Sequence, residues 1–208
     1  MRCRPFLGLG LLMACWMFVL AAVGQSSSQR KSTTPPARYS AEGAIPMPED
    51  RAEDSYAIYS LLMPGPTLAS LPAEQGAPWA IGAVTVNDND REPRVPPQGQ
   101  LKPPPDNPKG FGEAVEDYEV NKYTRVQLKR DEFHLDHAFT LLDPEAANSH
   151  SYPGITYFSE VYFDAKHKAA LVYMNEWCAN LCSAGTWVYL EKHGGQWVRR
   201  SGVVAPGA

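Results

Sequence analysis

Beyond Pro48 the apolar residues fall into a helical rhythm, with Ala52, Tyr56, Tyr59, Leu62 and Met63 recurring at steps of three and four. That spacing predicts one helix with a single apolar stripe. Glu49 and Asp50 suit its positive end, and Pro64-Gly65-Pro66 stops it. Phe111, Ala114, Val115 and Tyr118 predict a second short amphipathic helix. After Asn121 the period becomes two: Thr124, Val126 and Leu128 alternate with Arg125, Gln127 and Lys129, the pattern of a strand. Phe139 to Leu142 predicts another short strand, after which Asp143 can cap a short helix that Pro144 opens.

The last third is richest in strand signals. Four β-rich runs occur, Ile155 to Phe163, Ala169 to Trp177, Thr186 to Glu191 and Gln196 to Val204, joined by connections short enough for hairpins. They predict an antiparallel meander of four strands, to which one or two more are added, packed on two or three short helices: an α+β domain from about residue 48 to 208. Along the second run Leu171, Tyr173 and Trp177 share one face, while Val172, Met174 and Glu176 share the other. Apolar residues on both faces require cover on both.

Residues 64–108 are too rich in proline for regular helix or interior strand, apart from Trp79 to Val86, which can pair. Val95 to Pro108 is expected to run extended, as polyproline II, wrapped around the domain's own surface; the alternative is a ligand for a partner. Residues 25–47 are polar, rich in Ser, Thr and Pro, and predict a flexible tether. No internal repeat of solenoid length is visible.

Composition places this pattern outside the cytosol. Arg2 and Arg4 precede an uncharged stretch from Phe6 to Val23, and Ala22 and Gly24 provide a small-x-small cleavage pattern before Gln25, so residues 1–24 read as an export signal. An uncleaved anchor and a lipobox ending at Cys15 are the alternatives. Across 208 residues, 19 Lys+Arg stand against 23 Asp+Glu, with no basic stripe, which argues against a nucleic-acid partner. Once the leader is removed no membrane segment is expected. Of four cysteines only Cys178 and Cys182 remain after cleavage, and an even count in an exported chain reads as a disulfide. Closing so short a loop restricts the unfolded chain by about 2 kcal/mol.

The segments Phe158-Ser159-Glu160-Val161-Tyr162-Phe163, Ala170-Leu171-Val172-Tyr173 and the run from Cys178 through Val198 resemble a module of uncharacterised exported bacterial proteins. The likeness covers residues 139–204; Tyr56 to Leu62 resembles a narrower subgroup. Ala179 and Ala184 stand where the resemblance implies glycine in many relatives, which leaves the turn geometry of this loop open. No activity attaches to the module, so the resemblance transfers no catalytic residue and implies no cofactor.

Candidate chemistry is sparse. The Cys178-x-x-x-Cys182 pair reads first as a structural clasp; redox chemistry or Cu(I) binding with His193 completing the shell are the alternatives. His134 and His137, with Asp131, Glu132 and Asp136 nearby, are weak metal candidates, more simply surface histidines on a polar loop. Asn87-Asp88-Asn89-Asp90 reads as a turn after a strand rather than a Ca²⁺ loop. Glu160 and Glu176 on neighbouring strands offer a carboxylate pair for a hydrolase. Seven Tyr and Trp crowd the meander, and Trp177, Trp187, Tyr189 and Trp197 are the candidates for a rim that takes a sugar or peptide. The leading expectation is a non-catalytic exported module, structural or binding, periplasmic or extracellular. A metal or redox protein and a paired-carboxylate hydrolase are the alternatives.

Overall fold

The stripe beyond Pro48 becomes α1 (Glu49–Leu62), which buries Tyr56, Ile58, Tyr59 and Leu62. Its last turn closes when the Met63 N–H donates to the Tyr59 carbonyl at 3.1 Å, and Met63 itself is extended. The computed structural model describes residues 41–63, 78–91, 93–143, 152–178 and 182–200. The expected leader, residues 25–40 of the expected tether, the first part of the proline-rich segment, the helix expected from Pro144 and the end of the last predicted strand lie outside the described residues. Within the described part of residues 25–47, β1 (Ile45–Pro46) pairs in parallel with β3 (Val126–Gln127), and Met47 is buried. No helix among the described residues is long and apolar enough to cross a membrane.

The sheet consists of β2 (Trp79–Gly82), β4 (Phe139–Leu142), β5 (Ile155–Phe158), β6 (Tyr162–Phe163), β7 (Ala169–Cys178), β8 (Cys182–His193) and β9 (Gln196–Arg199). Its order is β4-β2-β5-β7-β8-β9, with β6 beside β5 on the same edge of β7. From β5 to β9 the neighbours are antiparallel, as the short connections predict. The other half corrects the expectation of a purely antiparallel sheet: β2 lies between β4 and β5 and runs parallel to both. Parallel neighbours are joined by long crossovers, so no turn signal announces them. All four residues of β2 are buried, which fits a strand covered on both faces. The class is α+β, with a mixed sheet. β8 also starts earlier than expected, at Cys182 rather than near Thr186, so much of the expected cysteine loop is strand.

Cover comes from both sides. Ile58, Tyr59 and Leu62 of α1 share one core with Phe158, Val172, Met174, Val188 and Leu190. On the opposite face, α2 (Pro97–Gln100) is one short helical turn that interrupts the extended path expected there, and it is followed by α3 (Pro108–Asn121). Asn107 caps α3 by accepting the Gly110 N–H at 3.1 Å, with Pro108 opening it. Leu101, Phe111, Ala114 and Tyr118 share a second core with Tyr162, Leu171, Trp187 and Tyr189. Gln100 accepts the Trp187 backbone N–H at 3.0 Å, so this part of the proline-rich segment packs on the domain itself.

The single run expected from Ile155 to Phe163 is broken. Between the Phe158–Met174 and Tyr162–Leu171 pairs, three residues on one side face two on β7, a one-residue bulge. Ser159 stitches it: its N–H donates to the Tyr173 carbonyl at 2.8 Å and its Oγ accepts the Tyr173 N–H at 2.9 Å. The extra residue reverses the alternation, so Phe158, Val161 and Phe163 all join the α1 core.

Candidate functional site

His193 pairs with Gln196 across the β8–β9 turn, leaving Gly194-Gly195 as a two-residue loop with φ of 58° and 86°. Two successive left-handed residues define the type I′ hairpin turn, and glycine takes both without steric cost. Beside this hairpin, α1 presents Glu53, Ala57, Ser60 and Leu61 at helical spacing. Between the two elements lies a cleft of about 400 Å³, lined also by Asp54, His134, Lys192, Gly195, Gln196 and Trp197.

Asp54 organises its floor. Its Oδ1 accepts the Lys192 ammonium at 2.6 Å and the Trp197 indole N–H at 2.8 Å, while His167 Nδ1 stands 3.6 Å from Oδ2. Lys192 Nζ also lies 5.5 Å from the centre of the Trp197 ring. His167 belongs to the β6–β7 turn, where Asp164 accepts the Lys168 and Ala169 N–H groups at 2.6 and 2.8 Å. That turn holds His167 at φ 51°, the left-handed region that costs a non-glycine residue about 1–3 kcal/mol. Its ring stacks on Phe163 at 4.5 Å.

Among the described residues the side chains of Glu53, His134 and Gln196 have no hydrogen bond or ion pair. Ser60 Oγ accepts the His134 backbone N–H at 3.0 Å and keeps its own proton to donate.

A second polar cluster borders α1. The Arg51 guanidinium forks, donating to Glu160 Oε1 at 2.5 Å through one nitrogen and to Asp117 through the other. Asp117 also accepts the Phe163 N–H at 2.8 Å and the Asn121 amide at 2.7 Å. Glu160 sits in the bulge, 2% exposed, and its Oε2 has no hydrogen-bond partner among the described residues. Burial pushes the Glu160 carboxyl above its usual range, Arg51 draws it back, and Asp117 adds to the rise. Burial opposes the Arg51 charge, but Asp117 and Glu160 outweigh it and hold the guanidinium above its ordinary value.

This arrangement breaks the expected carboxylate pair. Glu176 lies opposite Thr156, four residues before Glu160, a separation of about 13 Å along the strand. The carboxylate that Glu160 does approach is Asp117, with Arg51 shared between them.

The aromatic rim is also corrected. Trp177, Trp187, Tyr189 and Trp197 are 4%, 2%, 1% and 7% exposed, so none offers an open ring face. The surplus rings are absorbed by elements whose cover the pattern did not place. Trp177 packs with Ala80 of β2, Leu142 of β4 and Ile155 and Tyr157 of β5. Trp187 is covered from the proline-rich side, its indole N–H donating to the Val95 carbonyl at 2.8 Å.

Arg91, which no sequence motif singled out, completes that cover. It is 6% exposed, with its guanidinium 4.9 Å from the ring centres of both Tyr173 and Trp187. It donates to the Val95 carbonyl at 2.8 Å and pairs with Asp88, which also accepts the Tyr118 hydroxyl at 2.9 Å. Asp90 pairs with Arg125 at 2.6 Å. Asn87 and Asp90 cap each other around a 3-10 turn, as expected of a turn after a strand, and its acidic groups serve arginines.

His134 and His137 lie on irregular chain beyond another 3-10 turn rather than on one helical face. His134 faces the cleft, whereas His137 Nδ1 is 2.9 Å from Asp136. Among the described residues no three His, Cys, Asp or Glu side chains gather as a metal site would require. Cys178 and Cys182 face each other as the last pair of the β7–β8 register. His193 ends β8 eleven residues from Cys182, about 36 Å along the strand, too far to complete a shell with the cysteines. Its Nε2 lies instead 3.4 Å from Glu191. Comparison of the chain with protein-family models, with curated proteins and with solved structures finds no match.

Proposed function

We propose that the chain is a non-catalytic exported binding module whose ligand, a sugar or a short peptide, enters the cleft between α1 and the β8–β9 hairpin. One observation carries this reading: polar groups of four residues, Glu53, Ser60, His134 and Gln196, line a cleft of about 400 Å³, and among the described residues three of these side chains have no protein partner while Ser60 keeps a proton to donate. Ligand sites combine such a concavity with a few convergent polar groups. Asp54, Lys192 and Trp197 engage one another, which makes them a rigid floor rather than reacting groups. A hydrolytic reading loses its support because Glu160 is sealed in the bulge, far along the strand from Glu176. Amide chemical-shift mapping of the full chain against a panel of monosaccharides and short peptides tests the assignment. Shifts concentrated at Glu53, Ser60, His134 and Gln196 are expected; shifts confined to other surfaces would refute it.

The same reading includes export, the likeness to exported bacterial proteins, and a disulfide between Cys178 and Cys182. Residues directly opposed in an antiparallel pair have Cα atoms about 4.5–5.5 Å apart, within the ~4.4–6.8 Å that a disulfide spans. The bond would pin the distal end of the β7–β8 hairpin. Thiol titration of the mature, unreduced protein should find no free sulfhydryl; two would remove the clasp.

A further inference from the structure

Resting on the reading of the cleft as a binding site, we infer that its ligand is a short extended peptide with a basic side chain three or four residues from an aliphatic one. Charge selects the first feature. Asp54 is already met by Lys192 and His167, whereas Glu53, the neighbouring carboxylate of the cleft, has no ion-pair partner among the described residues. With His134 and His167 neutral, Glu53, Asp54 and Lys192 leave a surplus of one negative charge at that end, which favours a cation.

Exposed apolar surface selects the second feature. At the far end of the α1 wall Leu61 lines the same cleft and is 49% exposed, so it offers aliphatic surface to whatever enters. The same surface disfavours sugars. A pyranose ring presents its C–H face to an open aromatic ring, and Trp197 is 7% exposed with its indole N–H committed to Asp54. What the cleft offers besides carboxylate and aliphatic surface is amide and hydroxyl, on Gln196 and Ser60, which suit peptide groups.

Geometry sets the spacing. Glu53 and Leu61 are eight residues apart on α1, about 12 Å along its axis at a rise of roughly 1.5 Å per residue. An extended peptide advances about 3.3 Å per residue, so it crosses that distance in three or four residues.

Calorimetry on the full chain tests this with acetylated, amidated tetrapeptides that carry lysine and leucine at opposite ends, in both orders. The controls are the same peptides with glutamate for lysine, peptides with lysine and leucine adjacent, and neutral monosaccharides. At least one lysine peptide should bind, with its glutamate and adjacent-residue counterparts at least tenfold weaker. Glu53→Gln should remove most of the lysine preference. Equal affinity for lysine and glutamate peptides, or an unchanged preference in Glu53→Gln, would overturn the peptide chemistry while leaving the cleft a binding site. Binding of monosaccharides but no peptide would overturn it in favour of the other ligand class. Binding of neither would sink both readings.

Discussion

Arg91 and Lys192 occupy equivalent chemistry on opposite faces of the sheet. Each is a cation over a tryptophan, with a carboxylate beside it and the indole N–H donating to an oxygen. The difference lies in what closes over them. Around Arg91 the chain supplies its own lid, because Val95 accepts from both the arginine and Trp187 while Gln100 and Leu101 continue the cover. Around Lys192 the hairpin and α1 leave a cleft with unspent polar groups. A buried polar cluster whose donors and acceptors meet one another is a fastening, whereas exposed polar side chains lining a cleft exchange their water for a ligand.

The largest effect should come from the closed member of this pair. Arg91→Met leaves Asp88 without its buried cation and should cost about 3–5 kcal/mol, read from urea unfolding. A loss below about 1 kcal/mol would mean that the aromatic box closes without its cation, and the contrast with the cleft would fail. The open member should be weaker: Asp54→Ala unpairs Lys192 and the Trp197 N–H at a partly wet site, costing about 1–3 kcal/mol. If Asp54→Ala proves as costly as Arg91→Met, the cleft floor is a fastening of the same kind.

The Arg51 fork adds a pH test of α1, the element that also walls the cleft. The Glu160 carboxyl is raised above its ordinary 4.5, so the folded state holds that proton more tightly than the unfolded chain does. Stability from this group is therefore fully present below about pH 4.5 and declines as pH rises through the folded value. Glu160→Gln should flatten that decline in unfolding free energies measured between pH 4 and 7; an unchanged profile would assign the dependence elsewhere. The smallest effect is expected at Glu53, an exposed residue, where Glu53→Gln should change stability by no more than about 0.5 kcal/mol. A loss above about 1 kcal/mol would show Glu53 to be structural and would remove the free charge from the cleft.

Legibility in the sequence followed the range of each signal. Tyr56, Tyr59 and Leu62 on α1, and Phe111, Ala114 and Tyr118 on α3, are buried where their periodicity placed them. The hairpins on either side of β7 and β8 follow from short connections. By contrast, the parallel β4-β2-β5 pairing joins segments far apart in the chain, and its absence from the expected sheet made Trp177 look like a spare ring. Arg91 was invisible for a related reason: its partners run from Asp88 to Trp187, and nothing local marks a cation bound for a core.

Amino-acid order alone therefore determined the local elements, the α+β class, and the need for cover on both faces of the meander, because periodicity and turn chemistry act over a few residues. Tertiary structure alone decided which aromatic rings would be sealed, that Glu160 would meet Arg51 rather than Glu176, and that α1 and the glycine hairpin would leave a cleft. Burial and pairing depend on which distant segments come together, and the one-residue bulge at Ser159–Val161 shows how a single extra position reassigns every face beyond it.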